Sequence, residues 1–148
     1  MKKLRDIMIP GFLVTVARDA TVAEATRTMV DKNVGIVAVL DGDKLAGVFS
    51  ERDVVRRVVN VGLDPAATRV AEVMTHDLVV AQAEDEVQSA MHKMDQANIR
   101  HLPVVDDGGL LSMISIRDLM RAELHQRGEE IRYLHEYLYH VPAGAGTQ

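Results

Sequence analysis

Apolar residues recur along the chain in two alternating rhythms, and the alternation predicts the elements. Thr21-x-x-Glu24 is a capping-box signature, and behind it Val22, Ala25, Met29 and Val30 recur at helical spacing, which predicts one buried helix face. Val34–Leu40 is a β-branched apolar run, short enough for a buried strand. Asp41-Gly42-Asp43 follows, and Asp-Gly between two apolar runs predicts a hairpin, because glycine supplies the positive φ of a tight turn. Leu45–Phe49 is the partner strand, and Ser50 opens a second helix. The same succession returns later, with a helical stripe of Val87, Ala90, Met91 and Met94 and a turn at Asp106-Asp107-Gly108-Gly109.

The two successions are one unit written twice. Shifting the chain by 65 lays Thr15–Val54 over Val80–Leu119 without a gap, with ten of forty positions identical. Among the ten are Met29/Met94, Asn33/Asn98, Ser50/Ser115, Arg52/Arg117 and Asp53/Asp118. With a one-residue slip, Leu4–Met8 also matches Val70–Met74. Each unit reads as a short strand, helix, strand, hairpin, strand and helix, an α/β (α+β) pattern. At about sixty residues neither buries much core alone, so the two are expected to pack together. The expected organisation is a first repeat over 1–60, a linker over 61–69 and a second repeat over 70–122. An amphipathic helix over 123–141 and a disordered tail over 142–148 complete it. That helix belongs to a longer helical reading, Met120–Val141, in which Leu124, Ile131, Leu134, Leu138 and Val141 roughly share a face.

Composition narrows the function. The 148 residues are 47% hydrophobic but only 3% aromatic, so the core is built from Val, Leu, Ile, Met and Ala. No cysteine is present, which excludes disulfides, thiolate metal sites and cysteine nucleophiles. A formal net charge of −5 opposes general nucleic-acid binding. The N-terminus lacks the apolar stretch of a signal peptide, and the longest apolar run is far short of a membrane span. A soluble cytoplasmic protein, with neither nucleic acid nor membrane as partner, is the expectation.

The chemistry rests on SERD at Ser50–Asp53 and SIRD at Ser115–Asp118. Ser-x-x-Asp at the start of a helix is first of all a cap: the hydroxyl accepts from a backbone N–H and the carboxylate reaches back. The same residues also suit a nucleotide. A helix N-terminus presents free N–H groups to phosphate, an Arg two residues on adds a charge-assisted fork, and a carboxylate accepts from two neighbouring ribose hydroxyls. The residues alone leave both readings open. No Gly-x-Ser-x-Gly, phosphate-binding Gly-rich Lys loop or His-Glu-x-x-His is present, and His135 and His140 lie about 140° apart on a helix. No catalytic and no metal-ligating residue is assigned.

Taken together, the duplication, NVGIVAVLDGDKLAGVFSERD and NIRHLPVVDDGGLLSMISIRD resemble a tandem pair of cystathionine-β-synthase (CBS) domains, a Bateman module, over about Leu4–Ala122. The resemblance implies two β-α-β-β-α repeats packed about a pseudo-twofold axis, followed here by a C-terminal helix. It also implies two clefts for adenosine-containing ligands and association into a homodimer. Carried over, Asp53 and Asp118 would bind ribose, and Ser50, Ser115, Arg52 and Arg117 would lie beside phosphate. Gly35, Ile36 and Val37, and Ile99, Arg100, His101 and Pro103, would line base and phosphate. Met8 and Met74 would flank the base, Met8 with Asp118 and Met74 with Asp53. The first repeat departs from the pattern, with Ala38 at the proline and Gly35-Ile36 at the basic pair. The second has Ser112 where Gly47 stands in the first. Two unequal clefts follow, the one holding Ser115, Asp118, Arg100 and His101 being the better phosphate site.

The implied function is a regulatory module, not an enzyme, that senses an adenine nucleotide (AMP, ADP or ATP, or else NAD(H) or S-adenosylmethionine) and needs no cofactor. A conformational change would pass to an unidentified protein target. The alternative is a structural homodimer with empty clefts that docks a partner through its C-terminal helix.

Overall fold

The computed structural model describes residues 2–8, 13–107, 109–127 and 138. Its elements run α1 (Leu4–Ile7), β1 (Thr15–Ala17), α2 (Val22–Lys32), β2 (Ile36–Asp41), β3 (Lys44–Ser50) and α3 (Glu51–Asp53), which continues as a π-helix over Val54–Val59. Then come α4 (Val70–Val73), β4 (Ala81–Gln82), α5 (Val87–Ala97), β5 (His101–Asp106), β6 (Gly109–Ser115) and α6 (Ile116–Arg127). The fold is mixed α+β with two three-stranded sheets, ordered β1-β2-β3 and β4-β5-β6. The first strand of each is parallel to the second, and β2 and β3 form an antiparallel hairpin. Gly42 turns that hairpin at φ +62°, and the register shifts between Val39 and Leu40, a bulge that leaves Ala46 unmatched.

Local chemistry sets the helix ends. Thr21 Oγ1 accepts from the Glu24 N–H at 3.1 Å while Glu24 accepts from the Thr21 N–H at 3.2 Å, closing the capping box at the start of α2. Helices α2 and α5 both stop at an asparagine in the left-handed region, Asn33 and Asn98, each at φ 55°. The next N–H then reaches back five residues, from Val34 to Met29 O and from Ile99 to Met94 O, both at 3.0 Å. Few residues other than glycine tolerate that conformation, which accounts for asparagine at both positions.

Two compact units divide the chain, and each draws on both repeats. One comprises Ile9–Gln82 and Pro103–Met113. In it α4 docks on the approach to α2: the Val70 and Ala71 N–H groups donate to Ala20 O and Arg18 O, and the Val22 N–H donates to Thr68 O. Its core gathers Val22, Ala25, Met29, Val37, Val39, Phe49, Val58, Val70, Val73 and Met74. The other comprises Met1–Met8, Ala83–Leu102 and Ile114–Gln148. There α1 does for the second repeat what α4 does for the first: Leu4 and Arg5 N–H donate to Asp85 O and Ala83 O, and Val87 N–H donates to Lys2 O. Leu4, Val87, Ala90, Met94, Ile114, Leu119, Ala122 and Leu124 are buried in this unit. Each repeat's leading helix thus belongs to the unit that holds the other repeat's helices.

One expectation changes. Val30, placed on the buried face of α2, is 72% exposed. It follows Met29 by one residue, about 100° around the helix, and so leaves the face shared by Val22, Ala25 and Met29. The long C-terminal helix is described only as far as Arg127; Ile131, Leu134, Val141 and the 142–148 tail lie outside the described residues. Among the described residues no helix is long and apolar enough to cross a membrane.

Candidate functional site

Both Ser-x-x-Asp motifs cap their helices, and the two differ in the exposure of the carboxylate. The Ser50 N–H donates to Asp53 Oδ2 at 3.0 Å and the Asp53 N–H to Ser50 Oγ at 3.2 Å. The Ser115 N–H donates to Asp118 Oδ2 at 3.0 Å and the Asp118 N–H to Ser115 Oγ at 3.1 Å. The residue just before β2 or β5 meets each helix start alike: Glu51 N–H donates to Gly35 O, and Ile116 N–H to Arg100 O. Asp118, however, is exposed, whereas Asp53 is buried at 7% exposure.

The Asp118 site lies in one unit. Ser115 is half-buried at the end of β6, and Arg117 and Asp118 are exposed in the first turn of α6. Ile99 is half-buried, Arg100 exposed and His101 half-buried at the head of β5; Pro103, expected beside them, is buried and belongs to the other unit, so it is not part of this cluster. Helix α1 packs on α6, and Met8, half-buried, ends α1 with its N–H donating to Leu4 O. Burial holds the His101 imidazole below its ordinary 6.5; Asp118 pulls the other way and Arg100 adds to the depression. Cation, imidazole, carboxylate and the first turn of a twelve-residue helix therefore share one neighbourhood. Such a set offers donors to an anion and an acceptor to hydroxyls.

The Asp53 site lies in the other unit. Val37 is fully buried, Gly35 and Ile36 are half-buried, and Arg52 is exposed. Met74, buried, ends α4. Three residues not anticipated from the sequence stand here. Thr75 Oγ1 donates to Asp53 Oδ1 over a long 3.4 Å. Arg57 places Nε 3.6 Å from the same oxygen and donates from Nη1 to Met74 O at 3.0 Å and Val73 O at 3.3 Å. The Glu51 carboxylate lies against Gly35, so close that a Cβ there would meet Glu51 Oε2 at 3.2 Å. A comparison of the repeats signals two of them: Arg57 stands opposite Ala122, and Glu51 opposite Ile116. Thr75, twenty-two residues from its partner Asp53, had no such signal.

No metal is assigned to either site; among the described residues no three His, Cys, Asp or Glu side chains gather to hold one. His135 and His140 lie outside the described residues.

Comparison with known proteins gives the family. The CBS domain family matches twice, over residues 4–60 and 70–125. The CBS domain-containing protein CBSX3, mitochondrial, of Arabidopsis thaliana is 38% identical over 125 residues, 81% of this chain and 61% of that protein. The chain thus spans less than two thirds of that relative, and only 15% and 19% of two longer ones. The crystal structure of a putative signal-transduction protein with CBS domains from Burkholderia ambifaria MC40-6 is 36% identical, with a TM-score of 0.72 over 76% of this chain and 83% of that one. That of CBSX2 in complex with AMP is 25% identical, with a TM-score of 0.73 over 86% and 99%. Two matched repeats, the same order of elements in each and a Ser-x-x-Asp cap at the same point of both carry one conclusion: the chain belongs to the CBS domain family.

Proposed function

We propose that the chain is a regulatory module, without catalytic activity of its own, that binds an adenine nucleotide at the Asp118 site. The observation that carries this reading is the exposed Ser115–Asp118 cap set beside Arg100 and His101 in one unit. The AMP complex of the related CBSX2 supports the ligand class. Asp118 spends part of one oxygen on the Ser115 N–H and keeps acceptor sites for two vicinal ribose hydroxyls. The Ser115 hydroxyl, Arg100, Arg117 and His101 supply donors to phosphate. Ile99 and Met8 offer apolar surface to the base. The module acts in the cytoplasm as a homodimer, and binding biases a conformational equilibrium that a protein partner reads. The bias equals the ligand's differential affinity for the two states.

Isothermal titration with AMP, ADP, ATP, NADH and S-adenosylmethionine tests the reading. Hydrogen bonds to a charged group contribute about 1.5–3 kcal/mol each, so Asp118→Ala should weaken binding roughly 10- to 150-fold. Failure of all five ligands to bind, or binding indifferent to Asp118→Ala, overturns it.

A further inference from the structure

The two sites share a motif and differ in what occupies the carboxylate. Asp53 is 7% exposed and meets four groups of its own protein. Oδ2 accepts from the Ser50 N–H at 3.0 Å and the Ser50 hydroxyl at 3.2 Å. Oδ1 faces the Thr75 hydroxyl at 3.4 Å and Arg57 Nε at 3.6 Å. A hydroxyl donor and a cation already stand where a ribose would place its hydroxyls. The phosphate side is equally unfavourable: Arg100 of the second repeat corresponds to Gly35, and the Glu51 carboxylate lies against it. A carboxylate repels a phosphate that an arginine would draw in.

The backbone explains how Arg57 arrives there. Helix α6 carries Asp118 and buries Leu119 and Ala122, four residues after Asp118. After Asp53 the chain winds as a π-helix, with Asn60 N–H donating to Val55 O, and the buried residue is Val58, five after Asp53. The wider turn holds one residue more than its counterpart. Arg57 lies within that turn, four residues after Asp53, and its guanidinium spans from Asp53 to the carbonyls ending α4.

We infer that Glu51, Arg57 and Thr75 determine which repeat binds: they hold the Asp53 site closed, so the chain takes one phosphate-bearing nucleoside, at Asp118. The part concerning Asp118 rests on the nucleotide reading above; the closed Asp53 site does not. Two measurements on the full chain separate them. Titration with AMP should give one equivalent per chain, weakened roughly 10- to 150-fold by Asp118→Ala; two equivalents, or one whose affinity is indifferent to Asp118→Ala, overturns the inference. The second measurement needs no ligand. In urea unfolding, Asp53→Asn and Arg57→Gln should each lower the midpoint, and the second substitution should cost much less once the first is made. Asp118→Asn, which loses only its charge in the capping box, should lower the midpoint much less than Asp53→Asn does. Midpoint shifts for Asp53→Asn and Arg57→Gln that simply add overturn the closed site, whatever AMP does. Absence of AMP binding with strong Asp53–Arg57 coupling would leave the closed site standing and overturn the assignment of the ligand to Asp118.

Discussion

Replacing Gly47 by alanine tests how the Asp53 site is held together. Gly47 lies on β3, buried, where the strand meets the chain just beyond α4. Its neighbour Val48 exchanges two backbone hydrogen bonds with Thr75, both 2.9 Å. A Cβ at position 47 would stand 2.6 Å from Thr75 O, 2.8 Å from Met74 Sδ and 3.2 Å from Met74 Cγ. The methionine side chain can swing aside, but Thr75 O is backbone, tied to Val48. Relief therefore separates β3 from Thr75 and loosens the two bonds. Overpacking of this kind costs roughly 1–3 kcal/mol, and a net hydrogen bond about 1 kcal/mol. We expect Gly47→Ala to destabilise by about 2–4 kcal/mol, which at roughly 2–4 °C per kcal/mol lowers Tm by about 4–16 °C. Urea unfolding should show a lower midpoint at unchanged slope. Gly42→Ala is the control. Gly42 has φ +62° and nothing within 4 Å of an added Cβ, so only the left-handed cost of about 1–2 kcal/mol applies. Equal and small losses for the two variants, below about 0.5 kcal/mol, would refute the close-approach argument.

The remaining predictions concern the other unit. Because burial depresses the folded-state pKa of His101 below 6.5, the unfolded chain binds more protons between the two values. Its contribution to stability is complete above about pH 6.5 and is lost as pH falls through the folded pKa; His101→Gln should flatten that part of the stability profile. Asp118→Asn should lower the His101 pKa further, as read by NMR titration, because it removes the attraction that opposes burial; a rise would contradict the assignment. Leu4, fully buried on a four-residue helix, should cost about 2–5 kcal/mol as Leu4→Ala in urea unfolding. The same variant should speed hydrogen exchange at the Val87 N–H, which donates to Lys2 O; unchanged exchange would show that α1 is not anchored by Leu4.

What was legible in the sequence is chemistry that acts over a few residues. Thr21 and Glu24, Ser50 and Asp53, and Asp41-Gly42-Asp43 carry their own instructions, and the 65-residue shift repeated them often enough to expose the duplication. Helices α1 and α4 stayed hidden because four residues make barely one turn and show no period. Val30 was misplaced because an apolar residue one step off a stripe resembles a wider stripe. The occupation of Asp53 was illegible for a different reason. It depends on Thr75, brought back by the chain beyond α4, and on a π-turn that no local propensity announces. In the second repeat the basic pair and the Ser-x-x-Asp stand in plain sequence order, and the Asp118 cluster gathers where that order implies.

The π-turn after Asp53 also bears on how the duplicated halves have diverged. Counted without gaps, Arg57 pairs with Ala122; counted by burial, Val58 does. Ancestral correspondence between the halves therefore runs unbroken only to about Val54, and beyond it the two copies are out of step by one residue. A single-codon insertion absorbed into a helix, with no loop to betray it, is sufficient to produce this. Any attempt to reconstruct the undivided ancestor, or to transplant α6 residues into the first half, must place a gap inside Val54–Val59.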